Sequence, residues 1–185
     1  MNGVWTNNWR ALKNLLLMGN VKAGMDTLIT TYGNAIPTTV PDNPITAVSA
    51  FSAFSTNETL QYNTISVGTS TQTPTTADNR LITAASGISR LSISNDAITY
   101  DTESGTATKV VKLLIQNQSN SSITLNEWGV FQTIRYYYKT SGGSTTFTQD
   151  TIMLYRELFD VPVTLASYES ATLTLTLTLT LNDPL

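Results

Sequence analysis

The sequence contains no cysteine and no histidine. Without cysteine no disulfide framework can form, and the redox compartment cannot be inferred from cysteine usage. The absence of both residue types also excludes Ser-His and Cys-His nucleophilic sites and the ordinary zinc sites. The chain therefore lacks the residues that most familiar hydrolases use for catalysis. We expect a protein that is not an enzyme and that has no cofactor and no metal site.

Charged residues are also scarce. They make up 12% of the chain, which is about half of the usual quarter. The formal net charge is −3 and the sequence pI is about 4.8, whereas affinity for nucleic acid depends mainly on clustered lysine and arginine. We therefore expect no direct contact with nucleic acid.

Long apolar runs are missing as well. The run at residues 15–18 has four residues, whereas a membrane helix needs about 20. The same run is too short for the hydrophobic region of a secretory signal peptide. These patterns predict a soluble chain with no membrane partner and no export signal.

What the sequence does contain is a regular carboxy-terminal tract, TLTLTLTLTL at residues 172–181. The side-chain period of a strand is two, so all the leucines share one face and all the threonines share the other. A helix would scatter the leucines around its circumference, so the tract predicts a strand. No charge lies between Glu169 and Asp183, and an uncharged alternating strand is a template for unwanted pairing. It must be covered by its own sheet or by another subunit, which is a first indication of assembly.

The first 36 residues differ from the rest because their apolar residues follow a helical period. Trp5, Trp9, Leu12 and Leu16 recur at i, i+4, i+7 and i+11, which predicts an amphipathic helix. Tryptophan is a favoured anchor at interfaces, so these four residues are candidates for a partner contact. The alternative is that the helix packs against its own domain.

A second helix is predicted at residues 25–32, where apolar side chains follow the i, i+3, i+4, i+7 pattern. Gly33 stands at a suitable position after its end, and Pro37 lies beyond as a stop. Residues 37–59 then contain three prolines and predict an extended linker, with one short strand near residues 47–54. We therefore divide the chain into a helical docking segment at 1–36, a linker at 37–59 and a β domain at 60–185.

From residue 60 onward the pattern is β throughout. The predicted strands are separated by turn-forming residues, and Asn95-Asp96 predicts a tight hairpin. Regular short strands without intervening helices predict a mainly β fold, an antiparallel β-sandwich of jelly-roll-like type with a short amino-terminal helical segment. The predicted strands are residues 62–67, 88–94, 97–101, 108–117, 123–125, 129–138, 146–159, 161–165 and 171–181.

Three sequence motifs in this β region, which we call landmarks, occur in a characteristic order. They are ISVGTSTQTPTTADNRL at 65–81, LNEWGVF at 125–131 and MLYRELFDVPVTLASYESATLTLTLTL at 153–179. Together they resemble β-sandwich modules in virion proteins of tailed bacteriophages, of the tail, neck and fibre type. The resemblance covers residues 60–181. It implies a structural protein without cofactors that is assembled in the host cytoplasm and works in the particle as a homo-oligomer with other virion proteins. We favour the tail or neck, including collar and fibre-attachment sites, over capsid decoration.

Two charged residues stand among apolar neighbours in predicted strands. Arg156 alternates with Leu154 and Leu158, and Glu127 lies close to Leu125 and Phe131. A half-buried charge is tolerated only when it is paired and hydrogen-bonded. Our hypothesis is that Glu127 and Arg156 meet across the sandwich. The alternative is that both face solvent.

Two further groups could carry a function. Asp101 and Glu103 lie on one side of an extended segment and could bind a cation or share acid/base work, although a solvated loop explains them as well. Tyr136 and Tyr138 project to one face of a predicted strand and could stack on sugar rings, although aromatics on strands are more often part of a core or an interface. A carbohydrate-binding module is therefore the main alternative function.

Overall fold

A computed structural model describes residues 3–18, 28–36, 63–139 and 145–180 of the chain, without the side chains of residues 13–18, 63–64, 95, 135–139 and 145–149. The fold is mainly β, with two antiparallel sheets packed face to face and one short helix near the amino terminus. The elements are β1 (Val4–Trp5), α1 (Asn7–Met18), β2 (Asn63–Gly68), β3 (Ile88–Asn95), β4 (Thr99–Asp101), β5 (Thr106–Asn117), β6 (Ile123–Lys139), β7 (Thr145–Leu165) and β8 (Ser170–Thr180).

The first sheet has the order β1-β7-β6-β2 and is built around one long hairpin. Strands β6 and β7 pair from Ile123↔Leu165 to Lys139↔Thr145. The sequence predicted two strands in place of each, and that division was wrong. The residues that we took as breaks lie at a register shift between Leu125 and Glu127. A bulge of this kind bends a strand without ending its hydrogen-bond ladder. Pro162 lies within such a shift, where it removes no ladder hydrogen bond.

The second sheet is centred on β5, which pairs with β8 on one side and with both β3 and β4 on the other. The predicted hairpin at Asn95-Asp96 does not form. Strand β4 continues along β5 beyond the end of β3, because the Asp96 amide donates to the Val110 carbonyl over 3.0 Å and extends the ladder. The hairpin β6–β7 lies in one sheet while its flanking strands β5 and β8 pair in the other, a nested arrangement that jelly rolls also use.

The main core lies between the two sheets, where alternate residues of β2, β3, β5, β6, β7 and β8 face inward. The leucine face of β8 is part of it, because Leu173, Leu175 and Leu177 are buried while the intervening threonines are exposed. The prediction of a strand with one apolar face is confirmed for β8 through its last residue. Leu181 lies outside the described residues.

A second core lies under the amino-terminal elements, on the same face of β6 as the main core, because Ile134 stands four residues from Val130 and side chains alternate along a strand. Helix α1 and residues 28–36 cover Ile134, Ile152 and Leu154 there, with Leu12 and Leu28 from the covering layer. All five side chains are almost completely buried.

The predicted second helix is wrong over the residues that the structure describes. Residues 28–36 instead form a reversal held by an antiparallel bridge between Ile29 and Ala35. The Thr30 hydroxyl accepts hydrogen bonds from the amides of Tyr32 and Asn34, which offers the backbone an alternative to a helix. Gly33 adopts φ +84° in this turn. The rest of that prediction and the linker at 37–59 lie outside the described residues.

The connection between β2 and β3 crosses the opposite, outer face of the first sheet. Its end returns to the outer edge of β2, where the Ala85 amide donates to the Val67 carbonyl and the Thr69 amide to the Thr83 carbonyl. Leu81 packs below it against Phe131 and Met153 in a small separate core.

Candidate functional site

Strand β8 forms an edge of the second sheet. All eleven of its residues pair with β5 in one unbroken register, from Gln116↔Ser170 to Thr106↔Thr180. Within the part of the chain that the structure describes, β5 is its only strand partner. One side of β8 therefore presents backbone hydrogen-bonding groups away from the sheet.

The threonines carry these outward groups. In an antiparallel ladder, successive residues direct their amide and carbonyl alternately to one neighbour and to the other. The Val110 carbonyl bonds Asp96 on the β3–β4 side, whereas the Asn117 amide bonds Glu169 on the β8 side. Odd-numbered residues of β5 therefore bond β8, and their partners there include Leu173, Leu175 and Leu177. The threonines of β8 consequently point their N–H and C=O groups outward.

Over the residues that the structure describes, this edge lacks the features by which proteins usually protect a strand edge. Such features are short length, charges, prolines, bulges and a covering segment. Strand β8 has eleven residues, no charge, no proline and no register shift. The opposite edge differs, because β3 has a register shift between Arg90 and Ser92 and pairing lapses between Asn95 and Thr99. Strand β1 has two residues, and β2 is covered by the segment that ends at Ala85.

One side chain does reach this edge. The Trp5 indole Nε1–H donates to the Thr178 carbonyl over 2.9 Å. The Trp5 ring also packs on Trp9 and Tyr155, with 4.9 Å between ring centroids in each case. Thus Trp5 fastens the amino-terminal strand to the far end of β8 and occupies one of its outward acceptors.

The predicted docking row of Trp5, Trp9, Leu12 and Leu16 requires a correction. Trp5 lies on β1 and not on the helix, since it pairs with Tyr155. Leu12 is 1% exposed in the second core, and both tryptophans are partly buried against their own domain. The side chain of Leu16 lies outside those described. The three described residues therefore follow the alternative reading, in which this segment packs on its own chain.

The structure brings Glu127 and Arg156 into contact. The Arg156 Nε donates to Glu127 Oε2 over 2.6 Å, and both side chains are fully buried. They do not meet across the sandwich as the hypothesis placed them. They lie on adjacent strands of the first sheet, one step apart diagonally because Gly129 is the direct partner of Arg156. The connection between β2 and β3 covers them.

Sequence reasoning did not predict the other partners of this cluster. The Arg156 Nη1 donates to Asp78 Oδ2 over 2.7 Å, and its Nη2 donates to the Gln72 carbonyl over 2.8 Å. Glu127 Oε1 accepts from the Thr83 amide over 2.9 Å. Asp78 was present in the first landmark, but nothing in its spacing linked it to Arg156. The guanidinium and both carboxylates are thus engaged by protein groups, and the cluster ties the β2–β3 connection to the sheet.

A second buried polar residue anchors the start of β8. Asn117 is fully buried, and its Nδ2 donates to the carbonyls of Ser121, Leu165 and Ala166. Its Oδ1 accepts from the Ser119 amide over 2.9 Å. Asn117 therefore joins the β5–β6 and β7–β8 turns at one end of the sandwich. The sequence marked this stretch as a turn but did not indicate its buried centre.

Glu157 has a perturbed carboxyl beside this framework. Burial raises its pKa, and the hydrogen bond from the Tyr155 hydroxyl, 2.8 Å from Glu157 Oε2, acts in the opposite direction. Burial together with the nearby Glu157 charge also raises the pKa of Tyr155. Gly3 lies against this pair, because a Cβ at that position would overlap the Tyr155 hydroxyl. The first residues of the described chain therefore pack tightly on Tyr155.

Among the described residues, the predicted pair Asp101 and Glu103 does not form a ligand-binding site. Asp101 is exposed and accepts hydrogen bonds from Ser104 and from the Glu103 amide, which lower the pKa of Asp101. It therefore closes a turn, as the solvated-loop reading expects. No cluster of three potential metal ligands occurs among the described residues. The side chains of Tyr136 and Tyr138 lie outside the description, so sugar stacking stays a prediction.

Comparison of the chain with protein-family models, with curated proteins and with solved structures gives no match. In the described segments no helix combines the length and the apolar character that crossing a membrane requires. The function is therefore argued from the site geometry and from the sequence landmarks.

Proposed function

We propose that this chain is a non-enzymatic structural protein that works by assembling with copies of itself and with neighbouring proteins. The observation that carries the proposal is the outer edge of β8, eleven residues long, regular and uncharged. Such an edge offers a row of backbone donors and acceptors to another chain. Natural proteins rarely leave one of this length uncovered, so we expect a protein partner to cover it.

The rest of the molecule suits a rigid building block. The Arg156 cluster fastens the β2–β3 connection to the outer face of the first sheet. Asn117 joins two turns at one end of the sandwich. Satisfied buried polar networks rigidify the structure that they connect. A body of this kind keeps the β8 edge in one geometry, which repeated assembly requires.

The setting that we propose is the virion of a tailed bacteriophage. The support is the order of the three landmarks, which resembles β-sandwich modules of tail, neck and fibre proteins. A tail or neck position, including collar and fibre attachment, is favoured over capsid decoration for the same reason. Carbohydrate binding through the region of Tyr136 and Tyr138 is the alternative function.

The experiment is sedimentation velocity and mass photometry of the purified chain over a wide concentration range, together with a glycan array. We expect a discrete oligomer whose population increases with concentration, and no glycan signal. A chain that stays monomeric at every concentration and binds a glycan would contradict the proposal and support the carbohydrate-binding alternative.

A further inference from the structure

We propose that two copies of the chain pair through β8, edge to edge and antiparallel, about a two-fold axis that passes through the Ser170–Thr176 half of the strand. This inference rests on the proposed function and names the partner and the geometry of the same site. The second sheets of the two copies would then join into one continuous sheet.

The faces of β8 argue for a second copy as the partner. A strand that extends this sheet must add an apolar side chain to the inner layer at every second position and a polar one to the outer layer. The strand β8 itself has this pattern, with buried leucines and exposed threonines. Antiparallel self-pairing places leucine beside leucine and threonine beside threonine, and such cross-strand pairs are the unit of sheet stabilisation.

The outward backbone groups define where the copies pair. The threonines carry these groups, and the Thr178 carbonyl already accepts from the Trp5 indole. The outward groups of Thr172, Thr174 and Thr176 lie in the other half of the strand. Pairing centred there uses them all and leaves the Trp5 contact intact. An isologous pair of this kind is the commonest form of homo-oligomer symmetry.

The charges agree with self-pairing. Residues 170–180 carry none, so no like charges oppose each other at the axis. Beside the proposed axis, Lys112 on β5 lies opposite Thr174 and reaches Asp96 at 4.0 Å. The two copies of Lys112 would stand three strand spacings apart, about 14 Å, which exceeds the Debye length of about 10 Å at 0.1 M salt. An edge without charge also gives no selective attraction to a charged partner.

The test compares three variants of the full chain by sedimentation velocity. Thr174→Pro removes an outward N–H but no bond to β5, because that N–H points away from the ladder. Thr174→Lys places like charges across the axis. The matched control is Thr164→Lys, which changes an exposed threonine of β7 in the other sheet. We expect each Thr174 variant to raise the dissociation constant of the dimer at least about tenfold and the control to leave it unchanged.

Single cysteines at Thr172, Thr174 and Thr176 then report the strand direction, because the chain has no cysteine of its own. Antiparallel pairing gives one maximum of disulfide formation along the row, whereas parallel pairing crosslinks at all three positions, since directly opposed residues lie within disulfide distance.

The outcomes separate the inference from the proposed function. An oligomer that persists in both Thr174 variants, or one that crosslinks equally at all three cysteines, overturns the β8 pairing while assembly through another surface still stands. A chain that remains monomeric at every concentration overturns both. If Thr174→Pro does not fold, Thr174→Lys with its control decides the result alone.

Discussion

Replacing Glu127 with glutamine tests whether the buried charge cluster holds the β2–β3 connection to the sheet. The two side chains have nearly the same shape, so packing changes little. Glutamate offers two acceptor oxygens here, and each is used: Oε2 accepts from Arg156 and Oε1 accepts from Thr83. Glutamine has one acceptor oxygen and one NH₂ group. In either orientation its NH₂ group must face a donor.

The expected cost follows from these contacts. A hydrogen bond to a charged group contributes about 1.5–3 kcal/mol, and a buried donor left unsatisfied costs about 1–3 kcal/mol. Breaking a buried ion pair from one side costs about 3–5 kcal/mol. Asp78 still neutralises the Arg156 guanidinium in this variant, which reduces the loss. We expect Glu127→Gln to lower the free energy of unfolding by about 3 kcal/mol, and the melting temperature by about 6–12 °C.

The assay is urea unfolding at pH 7, followed by tryptophan fluorescence. The matched control is Glu157→Gln, the same chemical change at the position next to Arg156 on the strand, at a side chain that is only partly buried. Its amide oxygen can still accept from the Tyr155 hydroxyl, and we expect no loss of stability. If Glu127→Gln changes the free energy of unfolding by less than about 0.5 kcal/mol, within the range of ordinary surface substitutions, the reasoning about the cluster is refuted.

Two further predictions concern the same framework. Burial raises the pKa of Glu157 above its ordinary value of 4.5, so the folded state binds this proton more tightly than the unfolded state does. Its stabilising contribution is then complete below about pH 4.5 and is lost as pH rises through the raised pKa; denaturation curves across this range should show a shallower decline for Glu157→Gln, and an unchanged slope would contradict this. A Cβ on Gly68 would lie 2.5 Å from both Glu127 Oε1 and the Thr83 carbonyl, so Gly68→Ala should destabilise the fold by about 1–3 kcal/mol. Gly129→Ala, whose nearest contacts would be 3.0–3.2 Å, should lower the free energy of unfolding by less. If urea unfolding shows a larger loss for Gly129→Ala than for Gly68→Ala, the close packing around Gly68 is contradicted.

Local patterns predicted much of the β architecture. The alternation in β8 was sufficient to predict a strand with one leucine face, because the direction of a side chain in a strand depends only on whether its position is odd or even. Glu127 and Arg156 could be paired from the sequence because charges within apolar strands need partners when buried. Their third partner, Asp78, could not be predicted, since it comes from a connection whose path over the sheet is set by packing at Leu81, Phe131 and Met153.

The errors have two origins. Helical spacing placed Trp5 on a helix and predicted a second helix before Gly33, but pairing of Trp5 with Tyr155 and the hydroxyl of Thr30 favoured other conformations. The turn residues at Asn95-Asp96 predicted a hairpin, yet β5 offered both flanking strands a longer partner. For Trp5 and for the hairpin, a contact with a residue distant in sequence outweighed a local preference, whereas at Thr30 one local preference outweighed another.

The sequence by itself therefore determined that β8 is a strand with one leucine face and one threonine face. Only the tertiary structure decided that β8 lies at an edge and that its threonines carry the outward backbone groups. Side-chain alternation is a local property of the extended chain, whereas strand order and the direction of each N–H and C=O depend on which strand pairs on the other side. That choice is made by the whole fold.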